Sequence, residues 1–134
     1  MERELIDIIK ISRAGYTPLV DYQTWRVAVL KFCDDVRADR LNSMQRHLET
    51  DEVFVLLEGS CVLISGGNGE RPEVVECVKM EKNQLYNVKK GVWHTHALDE
   101  EGSVLIIENQ DTCDKNSPTE LLNREQIEAI RTFF

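Results

Sequence analysis

Apolar residues occur in short runs of four to nine residues, each ending at glycine, proline or charged residues. The runs are rich in valine, isoleucine and aromatic side chains, which favour strands. They occupy residues 25–33, 53–57, 61–64, 74–78, 85–88, 92–98 and 104–107. Gly59 permits a bend between two of them, and the glycine-rich residues 65–69 are a hairpin signal. The pattern predicts an all-β sandwich or barrel of about eight strands.

The two ends of the chain have a different pattern. Residues 117–120 (Ser-Pro-Thr-Glu) are typical of a helix start, and Asn123 with Gln126 forms a second capping box. We expect a short turn and then a helix from about Arg124, with Ile127, Ile130 and Phe134 on the face that packs outside the barrel. The apolar residues 5–11 fit either a strand or a short amphipathic helix. The predicted organisation is one domain, with an arm at 1–24, a barrel at 25–110 and a helical segment at 117–134.

Length and charge exclude several classes of protein. A chain of 134 residues fits a single core, and it carries 16 Lys and Arg against 24 Asp and Glu, a net charge of −8. Nucleic acids and anionic membranes require clustered basic residues, so neither is expected as a partner. The acidic start of the chain and the lack of a long apolar run favour a cytoplasmic protein. The four cysteines, with no C-x-x-C pair, are expected to be small buried thiols.

The three histidines are the clearest candidates for a functional site. His94 and His96 lie two positions apart on a predicted strand, so their side chains share one face. Such a pair is either a half-site for a divalent metal or a pair of exposed or hydrogen-bonded rings. The third histidine, His47, precedes Glu52, which opens the next predicted strand. These four residues are the candidates for metal ligation.

Two segments resemble the motifs of the cupin superfamily. In the first motif, G-x5-H-x-H-x3–4-E-x6-G, His47 takes the second histidine, Glu52 the glutamate and Gly59 the glycine. In the second, G-x5-P-x-G-x2-H-x3-N, residues 91–94 (Gly-Val-Trp-His) supply the glycine and the histidine. Departures are Gln45 at the first histidine, and Lys89 and Leu98 in place of the second motif's proline and asparagine.

The resemblance implies a double-stranded β-helix, the RmlC-like jelly-roll barrel, with a short C-terminal helix. It also implies a divalent metal (zinc, iron, manganese or nickel) on His47, Glu52 and His94, with Gln45 or His96 completing the ligand set. Glu52, His94 and His96 are then the expected catalytic residues, and Gln45, Phe54 and Tyr86 the expected pocket residues. Many cupins instead bind small molecules without metal, and this alternative stays open.

A narrower resemblance links Arg46, His47, Thr50 and Phe54, together with residues 91–98, to the ureidoglycolate lyase family of cupin-like proteins. It implies a small carboxylate substrate, a histidine as general acid or base, and Arg46 or Lys89 as anion partner. The function expected from the sequence is therefore a metal-dependent lyase, isomerase or dioxygenase, or a metal-free sensor of a small molecule. The cupin resemblance further implies a homodimer that exchanges its N-terminal segment.

Overall fold

The computed structural model describes residues 5–134, which form two antiparallel sheets of five strands and one α-helix. The first sheet has the strand order β1-β2-β9-β4-β7 and the second has β10-β3-β8-β5-β6. The strands are β1 (Gly15–Tyr22), β2 (Trp25–Lys31), β3 (Ser43–Gln45), β4 (Glu52–Glu58), β5 (Cys61–Ser65), β6 (Glu76–Lys79), β7 (Tyr86–Val88), β8 (His94–Leu98), β9 (Ser103–Asn109) and β10 (Thr119–Leu121). The helix α1 is Arg124–Phe133, and three short 3-10 helices are Asp34–Val36, Ala38–Arg40 and Asp114–Asn116. The predicted all-β jelly roll is confirmed.

Ten strands are present because three segments without a clear apolar run also join the sheets. Gly15–Tyr22, placed in the arm by the sequence, pairs with β2 as an edge strand of the first sheet. Ser43–Gln45 and Thr119–Leu121 pair with each other in the second sheet. The short turn expected before the helix is instead a strand at residues 119–121, because their backbone groups pair with β3.

The helix begins where predicted and covers the outside of the second sheet. Asn123 Oδ1 accepts a hydrogen bond from Gln126 N at 2.9 Å, and Gln126 Oε1 accepts one from Asn123 N at 2.9 Å, which completes the capping box. Ile130 is fully buried and Ile127 half-buried against Trp93 and Ala97 on that outer face. Phe134, expected on the same face, is exposed instead, because α1 ends at the residue before it.

A separate apolar core lies between the two sheets. It includes Leu30, Phe54, Leu63, Leu98 and Ile106, which alternate along their strands with residues on the outer faces. This core fills one end of the barrel. The inward-facing residues at the other end are polar or ionisable, and that end carries the candidate site.

Residues 5–11 form neither a strand nor a helix within the single chain, and their pairing with another subunit stays a prediction. Leu5, Ile6, Ile8, Ile9 and Ile11 are all exposed. The thiols also differ from expectation: Cys61 is buried, Cys33 and Cys77 are half-buried, and Cys113 is exposed. Within residues 5–134, no helix has the length and apolar character needed to cross a membrane.

Candidate metal centre

Three side chains from different parts of the chain meet at the polar end of the barrel. His47 follows β3, Glu52 opens β4 and His94 opens β8. Antiparallel pairing of Gln45 with His94 sets β3 beside β8, and this brings His47 close to His94. Their ring centroids are 5.2 Å apart. The three side chains are buried, with at most 7 % of each residue exposed.

A single carboxylate oxygen lies between the two imidazoles. Glu52 Oε1 is 3.0 Å from His47 Nε2 and 2.8 Å from His94 Nε2. The three candidate ligand atoms all lie within 4.8 Å of one another. Two imidazole nitrogens and a carboxylate oxygen are a donor set suited to zinc, iron and neighbouring divalent ions. This buried group can therefore hold a metal ion.

The far side of each imidazole is fixed by its own hydrogen bond. His94 Nδ1 is 2.9 Å from the carbonyl oxygen of Val92, which can only accept, so Nδ1 carries a proton. His47 Nδ1 is 2.7 Å from Ser117 Oγ. That hydroxyl donates its own proton to Asn116 Oδ1, so it accepts from His47.

The orientation of the Asn116 amide is set in turn by the backbone N–H of Cys113, which donates to the same Oδ1 at 3.0 Å. Both neutral imidazoles therefore hold their protons on Nδ1 and direct the lone pair of Nε2 towards Glu52. Outer hydrogen bonds of this type orient histidine ligands in metal sites. Two nitrogen lone pairs that face a carboxylate oxygen are repelled by it unless a cation, either a metal ion or a proton, lies among them. The donor atoms present therefore fit a metal ion.

Electrostatics in the group favour the ionised carboxylate. Burial acts to raise the pKa of Glu52. When a proton rather than a metal ion lies between the groups, the Nε2–H groups of the protonated His47 and His94 rings donate to the carboxylate, and these hydrogen bonds and charges outweigh burial and lower its pKa. Burial acts to lower the pKa of His47, but the hydrogen bond and charge of Glu52 outweigh it and raise the pKa. A carboxylate that is anionic near neutral pH is the form that binds metal.

The group lies on the wall of a cavity of about 460 Å³, within the size range of small-molecule sites. Gln45, predicted as a pocket residue, lines this cavity, and its Nε2 donates to the carbonyl oxygen of Ser117 at 3.1 Å. His96 also lines it but lies outside the three-residue group. Burial lowers the pKa of His96, so its ring is neutral.

The other predicted pocket residues lie elsewhere. Phe54 is fully buried, and its ring packs against the rings of His94 and His96 at centroid distances of 6.2 and 5.7 Å. Tyr86 and Lys89 line a second cavity of about 500 Å³, on the other side of His94. The Arg46 guanidinium lies over the Trp93 ring at 4.5 Å, on the outer face of the sheet, so it does not serve as the anion partner.

Sequence reasoning missed a buried carboxyl group beside the site. Glu108 lies on β9, opposite Arg26 of β2. On the other side of β9, Ile107 pairs with Val53 of the antiparallel strand β4, so the next residue, Glu108, lies beside Glu52. Tyr16 donates a hydrogen bond to it. Burial, followed by the nearby Glu52 charge, raises the pKa of Glu108 to about 7.

A signal for Glu108 was present in the sequence: it follows the apolar run 104–107 with the parity of the buried residues Val104 and Ile106. Ser117 carried no such signal, because its role depends on the path of the loop between β9 and β10. The sequence pattern indicated a helix cap at Ser117, whereas its side chain holds His47.

Comparison with known proteins identifies the fold. No protein-family model and no curated protein matches the sequence. A cupin-2 domain protein from Shewanella frigidimarina is similar in structure, with a TM-score of 0.52 and 19% identity over 74% of this chain and 84% of its own. KdgF from Halomonas sp. is also similar in structure, with a TM-score of 0.54 and 13% identity over 75% of this chain and 81% of its own.

The sugar 3,4-ketoisomerase QdtA from Thermoanaerobacterium thermosaccharolyticum, solved with TDP, is similar over more of the chain. Its TM-score is 0.55 at 12% identity, over 90% of this chain and 94% of its own. The chain therefore has the cupin, RmlC-like fold, as the resemblance implied. Identities this low establish the fold and leave the activity to be argued from the site.

Proposed function

We propose that His47, Glu52 and His94 bind a divalent metal ion, and that the protein is a metal-dependent enzyme acting on a small polar or carboxylate metabolite. The convergence of two imidazole lone pairs on one carboxylate oxygen carries the proposal. A bound divalent ion would polarise a substrate oxygen, which serves lyase, isomerase and dioxygenase chemistry alike. A sugar 3,4-ketoisomerase on the same fold supports an enzyme.

In this proposal the metal-binding side chains are already held in their binding orientation in the absence of a ligand. Val92 and Ser117 hold the two rings, and burial limits the access of solvent to the ligand atoms. Zinc, iron, manganese and nickel all accept two imidazoles and a carboxylate. Glu52 and His94, expected from the resemblance to be catalytic, take the role of ligands here, and the cavity beside them takes the substrate.

Elemental analysis tests the proposal. Protein purified without a histidine tag or added metal is compared with a His47→Ala/His94→Ala double variant. Near-stoichiometric metal in the wild type and its loss from the double variant are expected, and the identity of the ion is read directly. A His96→Ala variant is the matched control, because that ring lies outside the group and its removal leaves the metal content unchanged.

A metal-free binding protein is the second candidate, and one observation favours it. Glu52 and a protonated His47 satisfy each other as a hydrogen-bonded ion pair, so the group is electrostatically complete without a metal. Metal absent from both preparations would refute the metalloenzyme proposal and leave a metal-free pocket. A ureidoglycolate lyase-like activity is a further alternative within the enzyme class, and release of urea from ureidoglycolate measures it.

We also propose a homodimer in which the apolar segment at residues 5–11 packs on the partner. Ile8 is 72% exposed and Leu5 77% exposed, and such side chains in a row are typical of an interface. Light scattering should give twice the mass of the 15.5 kDa chain. An Ile8→Asp variant should shift this mass towards the monomer, and a wild type near 15.5 kDa would contradict the proposal.

A further inference from the structure

His96 lies deeper in the barrel than the group at its mouth. It is two residues beyond His94 on β8 and pairs across the sheet with Leu63, a residue of the core between the sheets. The intervening Thr95 pairs with Ile64, which belongs to the outer face under α1. The His96 ring therefore points into the barrel, against the ring of Phe54.

One nitrogen of this ring has no partner. His96 Nδ1 is buried from solvent and makes no hydrogen bond. In the described part of the chain, Arg46 Nε is the only other buried side-chain nitrogen or oxygen that lacks a hydrogen-bond partner. Buried polar atoms without a partner are rare in folded proteins. A proton on Nδ1 would bury an unsatisfied donor. His96 lines the cavity, and its Nε2 is not among the buried atoms without a partner, so we assign the proton to Nε2.

We propose that His96 is a specificity-determining residue whose Nε2–H donates a hydrogen bond to an oxygen of a small oxo or hydroxy acid bound in the cavity. This inference rests on the proposed metal-dependent function, because a second oxygen of the same ligand meets the His47, Glu52 and His94 group. His96 is then a ligand-binding residue and no part of the metal site.

The spacing along β8 limits the size of this ligand. Two residues of a strand cover roughly 6–7 Å, so the inner donor and the metal group are about that far apart. Two contacts of roughly 2–3 Å each take up part of this distance, so the ligand oxygens lie only a few ångströms apart, as they do in a molecule of two to four carbons. Arg26 lines the same cavity but is already paired with Asp21 at 2.7 Å, so the charge that would attract an anionic ligand is that of the bound divalent cation.

Probe acids of three carbons test the proposal by calorimetric titration of the zinc-loaded protein. Lactate and pyruvate carry a second oxygen beside the carboxylate, whereas propionate lacks it. In the wild type we expect lactate or pyruvate to bind at least tenfold more tightly than propionate. His96→Leu should abolish that preference, and His96→Gln, which keeps an N–H donor, should restore part of it.

Two further measurements distinguish a failure of the His96 proposal from a failure of the proposed metal-dependent function. The metal content of each sample is determined, so a wild type without metal refutes the proposed function, while the preference for lactate over propionate still tests His96 in the metal-free protein. Nitrogen-detected NMR of the histidine rings should show His96 protonated on Nε2. A proton on Nδ1, an undiminished preference in His96→Leu, or no preference in the wild type would each overturn the inference.

Discussion

Glu108 is expected to make the metal-free protein less stable as the pH rises from about 4.5 to about 7. It lies beside the ionised Glu52, and its raised pKa means that it is a neutral acid in the folded protein under mildly acidic conditions. Replacing it by glutamine keeps an oxygen to accept from Tyr16 and supplies an N–H donor towards Glu52. Glu108→Gln therefore imitates the protonated acid at every pH.

The sign follows from proton binding. An unfolded glutamate has a pKa near 4.5 and the folded one about 7, so between these values the folded state holds the extra proton. Stability is therefore greatest below about pH 4.5 for this group and falls as the pH rises to about 7. The full difference of 2.5 pKa units corresponds to about 3.4 kcal/mol at 1.36 kcal/mol per unit. Solvent reaching the open mouth of the cavity reduces this to about 1–2 kcal/mol.

Urea unfolding with a chelator present, at several pH values between 5 and 8.5, measures the effect. Glu108→Gln should be more stable than the wild type by about 1–2 kcal/mol at pH 8.5, and this difference should shrink to less than about 0.5 kcal/mol at pH 5. Glu58→Gln, on an exposed strand end, is the control for a glutamate-to-glutamine change. Parallel pH profiles for the wild type and Glu108→Gln would refute the reasoning.

Three further outcomes are expected. Ser117→Ala removes the partner of His47 Nδ1 and should weaken zinc affinity roughly 10- to 100-fold in a competition titration, with Ser43→Ala as control; equal affinities would contradict the assigned orientation of His47. Gly59→Ala should destabilise by about 2–4 kcal/mol in urea unfolding, because φ is +63° and an added Cβ would lie 2.5 Å from the backbone carbon of Glu101. Ile130→Ala should cost about 2–4 kcal/mol, against under about 1 kcal/mol for the half-exposed Phe133→Ala; similar losses in the two variants would argue against the packing of α1.

The sequence predicted what depends on local pattern. Apolar runs with turn residues located seven of the strands, and alternation in β8 correctly set His94 and His96 on one interior face. Parity also suffices to find Glu108, once β9 is extended past its apolar run. The helix start at Arg124 followed from a capping box whose two hydrogen bonds are local.

What the sequence could not predict depends on contacts distant along the chain. Thr119–Leu121 is a strand only because Ser43–Gln45 lies beside it, about 75 residues earlier. The pairing of Ser117 with His47 spans 70 positions. Tyr86 was predicted in the pocket from its residue type, but the direction of β7 takes it to the opposite side of His94. Strand register and the path of the loops determine these features, and neither can be predicted from the periodicity of apolar residues.

The hydrogen-bonded series from Cys113 N–H through Asn116 and Ser117 to His47 joins the loop between β9 and β10 to the mouth of the barrel. Thermodynamic linkage makes this connection reciprocal: a cation that requires His47 in this orientation also stabilises the folded loop, by the same free energy that loop order contributes to its affinity. Amide exchange in residues 111–118 would then report occupancy of the site. Order in the loop and occupancy of the site are coupled in this way, in both directions.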